Sequence, residues 1–375
     1  MAINGMSLFS GAGGMDAGFE KAGVRVVVAN ELDEDACDTY AANHPETLLL
    51  RGDIRDCFDV LEKYKGGIDV LFGGPPCQGF SVAGKMDPDD VRSKLVWSFV
   101  EAVKAVQPKA FVMENVKALG MLEKWKPVRA RYLEETAAAG YDVKYFVLNS
   151  SDYGVPQKRE RVFFVGSKKG LNYPLAGIEA IVKSNSSASP TVRDVLNSLP
   201  EAGSEGNPIT CAAKITLAAS PILRRSPYAG MYFNGLGRPV NLDGYSNTLP
   251  ASMGGNKTPI IDEGYLKDPK KPNWPAEYHD RLRSKQATAG LEDAPESLRR
   301  MTTAEAAAIQ TFPGGYAFKG SKSSTYKQIG NAVPCNMAMA VAKSVLRMME
   351  HPLNAETYRT GALDSRMYKI TGGEE

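Results

Sequence analysis

"MSLFSGAGGMDAGFEKAGVRVVVANELD", residues 6–33, sets a short apolar run, a glycine-dense turn, a helix-like stretch and a second apolar run in succession. A brief strand passing through a tight turn into a helix and on to another strand is how an open α/β sheet begins. The rhythm continues through "TLLLRGD", "IDVLFGG", "AFVMENV", "KYFVLN" and "RVFFVG", with helical stretches such as "KLVWSFVEAVKAV" and "WKPVRARYLEETAAAG" between several of them. Apolar strands alternating with helices predict a mostly parallel, doubly wound sheet of Rossmann-like type, covered on both faces. At "SNSSASP", residues 184–190, the composition turns small and polar. From there to about residue 297 the chain is rich in Gly, Pro, Ser and Asn and loses the strand–helix rhythm. A helix returns at "TTAEAAAIQTF", with Thr302 or Thr303 as N-cap, and "NMAMAVAKSVLRMME" forms the last clear element. The expected organisation is a sheet domain over residues 1–185 completed by about 328–350, a smaller irregular domain over 186–327, and a tail over 351–375.

The bulk numbers exclude several classes. Of the 375 residues, 43% are hydrophobic and 23% charged, which suits a water-soluble chain with a sizeable core. No apolar run reaches membrane-spanning length and "MAINGMSLFSG" lacks the pattern of a signal peptide, so the expected address is the cytoplasm, with no membrane partner. Five cysteines, odd in number and without C-x-x-C spacing, and three distant histidines argue against a disulfide framework and against zinc. The net charge of +2 means that any nucleic-acid surface is a local patch.

Ligands of open α/β sheets bind where strands end and helices begin. Gly11, Gly13 and Gly14 allow a tight turn and close backbone approach at the first such end. A dinucleotide fingerprint needs a small residue at Asp16, where an aspartate would instead face a pyrophosphate. Glu31 ends the second strand about 20 positions after Gly11 and is placed to take two ribose hydroxyls; Asp53, after the third, is offered to an exocyclic amine. A glycine turn with two carboxylates and no phosphate-binding lysine suits a nucleoside with an uncharged tail, such as S-adenosylmethionine.

"GGPPCQGFS", residues 73–81, follows the fourth strand and puts Cys77 on the same rim. Free cysteines are mostly small buried hydrophobes, which is the plain reading of Cys37, Cys57, Cys211 and Cys335. Two prolines and a glycine around Cys77 suit a fixed nucleophile followed by a mobile flap. Glu114, at the end of "VMENV", reaches the same rim as a candidate proton donor, its acid form favoured by desolvation. Arg159 and Arg161 of "PQKRERVFFVG" are expected on one face of the strand they enter.

In order, F-S-G-A-G-G, G-P-P-C-Q-G-F-S, E-N-V, Q-K-R-E-R and Q-I-G-N-A-V-P closely resemble the DNA cytosine-5 methyltransferases, over about residues 6–170 and again 298–345. The resemblance implies transfer of a methyl group from S-adenosylmethionine to C5 of a cytosine rotated out of duplex DNA, with S-adenosylhomocysteine as product and no metal. It assigns Cys77 to attack C6, Glu114 to bind the cytosine edge and supply a proton at N3, and Arg161, with Arg159 beside it, to hold the site. Phe9, Ser10, Gly11, Gly13, Gly14, Glu31, Leu32, Asp53, Ile54, Pro76, Asn331 and Val333 are implied around the cofactor. Leu32 departs from the aromatic that many relatives place against adenine, and Phe9 is the candidate for the other ring face. Gln78 and Ser81 are implied in a loop that closes over the base, Arg92 and Thr248 at the DNA backbone, and residues 186–327 as the target-recognition domain. "LRRSPYAGMYFNGLGRP" and "GYSNTLPASMGGNK" carry groups suited to phosphate contact and base-edge readout. A compact core of this kind resembles bacterial or phage enzymes of restriction–modification systems, expected as monomers at the nucleoid, with a cognate endonuclease acting on the same site without a stable complex. A tRNA methyltransferase of similar layout is the enzyme alternative, but its usual Cys-Phe-Thr element is missing here. A catalytically silent DNA-binding regulator is the other, and an intact Cys77, Glu114 and Arg161 argue against it.

Overall fold

Alternate burial along the strands is what assembles the sheet. In a computed structural model that describes residues 2–76, 95–290 and 293–353, the elements begin β1 (Ile3–Leu8), α1 (Gly14–Lys21), β2 (Val24–Glu31), α2 (Glu34–Asn43), β3 (Leu48–Arg51), α3 (Phe58–Leu61) and β4 (Val70–Gly73). They continue as α4 (Leu95–Val106), β5 (Ala110–Val116), α5 (Lys117–Met121), α6 (Lys126–Ala138), β6 (Tyr141–Asn149), β7 (Gln157–Lys158), β8 (Glu160–Lys168) and α7 (Ile178–Ser184). The rest are α8 (Val192–Asn197), β9 (Leu217–Ile222), β10 (Met231–Phe233), β11 (Ser246–Asn247), β12 (Ile260–Asp262), α9 (Glu263–Lys267), α10 (Trp274–Arg283), β13 (Leu298–Arg300), α11 (Thr303–Ile309), α12 (Lys322–Asn331) and α13 (Cys335–Glu350).

The seven strands expected from the apolar runs form one sheet in the order β3-β2-β1-β4-β5-β8-β6. The first five pair in parallel, while β8 runs antiparallel to both β5 and β6. Side chains alternate between two cores. Val70, Phe72, Val112, Phe163 and Val165 face Met337, Ala338 and Val341 of α13, whereas Leu71, Phe111, Met113, Val162 and Phe164 face Phe99 and Val103 of α4 and Tyr132 of α6. Each fully buried side chain of this size contributes about 1.5–3 kcal/mol, so both layers are fastened to the sheet by burial.

The chain divides into two compact units. One comprises Met1–Tyr153, Glu160–Ser187 and the residues from Val333 onward; the other comprises Gly154–Arg159 and Ala188–Ala332. The second unit therefore takes in residues 154–159 from the middle of the stretch expected in the sheet domain, and also residues 328–332. It holds two antiparallel strand pairs, β9–β10 and β12–β13, and the short parallel pair β7–β11. Its core gathers Leu217, Tyr232, Phe233, Ile260, Tyr278 and Leu298. Thr302 caps α11: its hydroxyl accepts from Glu305 N at 3.1 Å, and the Glu305 carboxylate accepts from Thr302 N at 2.8 Å, a capping box.

Candidate active site

Five parallel strands end on one rim of the sheet. After β1 the backbone turns through Phe9, Gly11 and Gly13, with φ of 55°, 55° and 82°, a left-handed run that only glycine adopts freely. The Glu31 carboxylate closes this turn, accepting from Gly11 N at 2.7 Å and from Asp33 N at 2.8 Å. Burial pushes the Glu31 carboxyl above its ordinary range, while those backbone donors pull it back. Leu32 N–H is a third backbone donor to this carboxylate, whose about four acceptor positions still leave room for a ribose hydroxyl. A Cβ placed on Gly11 would meet nothing within 4 Å, so the turn opens onto free space beside that carboxylate. Leu32 lies at the same end with 63% of its surface exposed, an uncovered apolar surface suited to a flat ring.

The other expected cofactor residues divide into those on the rim and those beneath it. Asp53 follows β3, but Arg55 holds its carboxylate at 2.6 and 2.9 Å, which keeps it below the ordinary carboxylate range. Ser10 turns inward to Asn30 O at 3.2 Å and Ser7 Oγ at 2.9 Å. Ile54 is buried in the α4-side core and Val333 in the α13-side core, so each acts through backbone or packing. Asn331 is exposed at the end of α12, in the second unit, and Pro76 is half-buried after β4. Asn30, which carries no charge to single it out, ties strand ends together by donating to Leu50 O and Gly52 O at 3.0 Å each.

The chemical side of the rim is set by β4, β5 and β8. Glu114 and Arg161 are diagonal neighbours across β5 and β8, because Val116 pairs with Arg161 and Glu114 with Phe163. Arg161 Nε meets Glu114 Oε1 at 2.8 Å, with both side chains largely buried, so a guanidinium rather than an apolar strand end alone flanks the carboxylate. A Cβ on Gly74 would sit 2.9 Å from Glu114 Oε2, closer than real contacts allow, so this carboxylate is packed against the start of the segment leading to Cys77. Asn115, buried next to Glu114, donates to Pro75 O at 3.1 Å and fixes the same segment. Cys77 itself, with Gln78, Ser81 and Arg92, lies outside the described residues. Of the described cysteines, Cys37, Cys57 and Cys335 are buried, and burial pushes Cys37 up to about 11 and Cys335 up to about 12, values of unreactive thiols.

Arg159 corrects one expectation. β8 begins at Glu160, so Arg159 precedes the strand instead of sharing a face with Arg161, and it belongs to the second unit. It is 2% exposed, and its guanidinium donates to Leu249 O at 3.2 Å, Gly330 O at 3.1 Å and Asn331 O at 3.5 Å. Three carbonyls are natural partners for a group with five donors and no acceptor. Thr248 is exposed, its hydroxyl donating to Lys158 O at 2.9 Å. Among the described residues no group of His, Cys, Asp and Glu is placed to hold a metal ion, and no helix is long and apolar enough to cross a membrane.

Comparison with known proteins agrees with this arrangement. Residues 3–347 match the family described as C-5 cytosine-specific DNA methylase. The type II methyltransferase M1.HphI of Haemophilus parahaemolyticus is 34% identical over 93% of this chain and 88% of its own length. M.NgoPII of Neisseria gonorrhoeae, also a type II methyltransferase, is 32% identical over 92% of this chain and 96% of its own. The crystal structure of a Spodoptera frugiperda DNMT2 variant shares the fold, with a TM-score of 0.63 at 19% identity over 93% of this chain and 100% of that one. With a family match spanning nearly the whole sequence, the chain belongs to the C-5 cytosine-specific DNA methylases, enzymes that use S-adenosylmethionine to methylate carbon 5 of cytosine in DNA.

Proposed function

We propose that Cys77 forms a transient bond to C6 of an extruded cytosine while Glu114 and Arg161 grip the base, in a sequence-specific bacterial modification enzyme. The observation that carries this reading is the Glu114–Arg161 pair at 2.8 Å, packed against the Gly74–Pro75 segment that leads to Cys77. Cytosine C5 is too poor a nucleophile to take a methyl group unaided. Addition of the Cys77 thiolate at C6 breaks the ring's conjugation and makes C5 electron-rich. Glu114 meets the N3 edge, where a proton neutralises the charge that addition creates, and Arg161 faces the base oxygen. C5 would then take the methyl group with S-adenosylhomocysteine left behind, after which loss of the C5 proton to a base and of the thiolate, with return of the N3 proton to Glu114, restores the ring.

The turn at Gly11–Gly14 with Glu31 fits S-adenosylmethionine, since it pairs open space with a carboxylate that has room for a ribose hydroxyl. Bound there, the cofactor supplies an electrophilic methyl group. Glu31 would hold the ribose, Leu32 and Phe9 would flank the base, and Asp53 would share its carboxylate between Arg55 and the adenine amine. Residues 188–332 are read as the target-recognition unit, with Thr248 at the DNA backbone. The kinship with type II methyltransferases supports a place in a bacterial restriction–modification system; within that reading the enzyme is taken as a metal-independent monomer at the nucleoid, paired with an endonuclease that it does not bind.

Purified protein given tritiated S-adenosylmethionine should label duplex DNA and leave tRNA unlabelled. Bisulfite sequencing of DNA from expressing cells should then show one recurrent sequence protected at a single cytosine per strand. Label on tRNA alone, or on neither, would overturn the reading.

A further inference from the structure

The second unit contains a buried run of amide groups. Leu249 N donates to Gln157 Oε1 at 3.1 Å; Gln157 Nε2 donates to Gln310 Oε1 at 3.1 Å; Gln310 Nε2 donates to Ile329 O at 2.7 Å and to Ala332 O at 3.3 Å. Both glutamines have no exposed surface. The run is directional: each glutamine amide accepts from one neighbour and donates to the next, the arrangement in which such bonds polarise and strengthen one another. It joins three segments far apart in sequence, around residues 157, 249 and 310–332, and the strap at 249 is pinned to its neighbours a second time. The Arg159 guanidinium spans Leu249 O, Gly330 O and Asn331 O, and a Cβ on Gly330 would lie 2.5 Å from Pro250 O, so the strap after Thr248 is seated directly on the end of α12. Thr248 itself is exposed on that strap, its hydroxyl bonded to Lys158 O.

We infer that Gln157 and Gln310 are positioning residues for DNA, holding the Thr248–Leu249 strap in register with the end of α12. The inference rests on the reading above that Thr248 meets the DNA backbone. Neither glutamine touches substrate; they act through the strap. Glutamine is required at both places because each side chain must accept and donate at once. A carboxylate at position 157 keeps the acceptor for Leu249 N–H but turns an acceptor toward Gln310 Oε1. When protonated, the same carboxyl recovers both roles.

That chemistry supplies a test that a purely structural role would not satisfy. Full-length Gln157→Glu and Gln310→Glu should be compared with the unaltered enzyme, using unmethylated plasmid DNA and tritiated S-adenosylmethionine across about pH 6 to 8.5. The charged group set on this cluster is Arg159, which favours the carboxylate, while burial opposes it; Lys158 is exposed and Glu305 of α11 is engaged by Arg299. At the alkaline end KM for DNA should rise about tenfold with KM for cofactor changed less than about twofold, and the DNA defect should shrink steadily as pH falls. A defect that is independent of pH in both variants, or that falls equally on the two KM values, would overturn the inference. Thr248→Ala, measured alongside, separates the two readings. If it leaves KM for DNA unchanged, the placement of the strap at DNA fails; if it raises that KM while both glutamate variants lack the pH response, only the positioning role fails. Should one glutamate variant show no cooperative unfolding transition, the other carries the same test through its own donor, since the carboxyl that replaces the Gln310 amide must likewise donate to Ile329 O.

Discussion

Glu31 and Arg159 show what single residues disclose and what they withhold. Glu31 is legible from sequence because a strand end following a glycine turn fixes its position, and its carboxylate lies against Gly11 N at 2.7 Å. Replacing it with alanine should weaken S-adenosylmethionine binding by about 1.5–3 kcal/mol, the value of hydrogen bonds to a charged group. Titration calorimetry checks this, and an unchanged affinity would mean that the ribose is held elsewhere. Strand alternation misplaces Arg159, because β8 begins one residue later, at Glu160. Asn115 and Gln157 stand inside the E-N-V and Q-K-R-E-R motifs, yet nothing in the sequence assigns either of them a role, and Gln310 is not marked at all. They are neutral, their partners are backbone groups or another amide, and Gln157 and Gln310 stand 153 residues apart.

At the scale of elements, the β4 exit and the α1–α2 pair each carry a prediction. Gly74 meets the far end of Glu114, whose other oxygen is held by Arg161, so an added methyl group must displace either the carboxylate or the segment leading to Cys77. Gly74→Ala should cost about 1 kcal/mol or less in stability but slow single-turnover methylation about tenfold to a hundredfold, the usual penalty for a small misplacement. Equal rates would show that the contact is incidental. Between α1 and α2, Asp16 is fully buried with its Oδ1 accepting from Tyr40 at 2.8 Å, and burial raises its pKa from 3.8 to about 6 against the pull of His44, Ser7 and Tyr40. Because the folded value exceeds the unfolded one, its contribution to stability is whole below about pH 4 and is lost as pH climbs through about 6. His44 acts in the same direction: burial works against its charge, but the hydrogen bond to Glu20 and the nearby Asp16 raise it overall. Asp16→Asn keeps an acceptor for Tyr40 and removes the titration. Between pH 4 and 8 the wild-type protein should lose about 3 kcal/mol relative to this variant, the pull of His44 being already part of the raised value. Parallel pH profiles of thermal stability would contradict it.

For the whole molecule, all seven strands of the main sheet were legible, since each is an apolar run closed by polar or turn residues. Their directions were not: periodicity carries no sense of direction, and β8 slots antiparallel between β5 and β6. Nor was the assignment of residues 154–159 to the second unit legible, because it depends on Gln157 and Arg159 finding partners at residues 249, 310 and 330–331. The family and its chemistry were readable from five short motifs in order; the base sequence recognised was not, since readout depends on which side chains of residues 188–332 reach which base edges. The central claim is that Cys77 bonds to an extruded cytosine beside the cofactor. A duplex carrying the protected site, with 5-fluorocytosine at the target position, blocks the last step because fluorine cannot leave as a proton does. With S-adenosylmethionine present, peptide mapping of the product should reveal a denaturation-resistant conjugate through residue 77 that Cys77→Ala does not form. No conjugate, or one through any other residue, would contradict the mechanism.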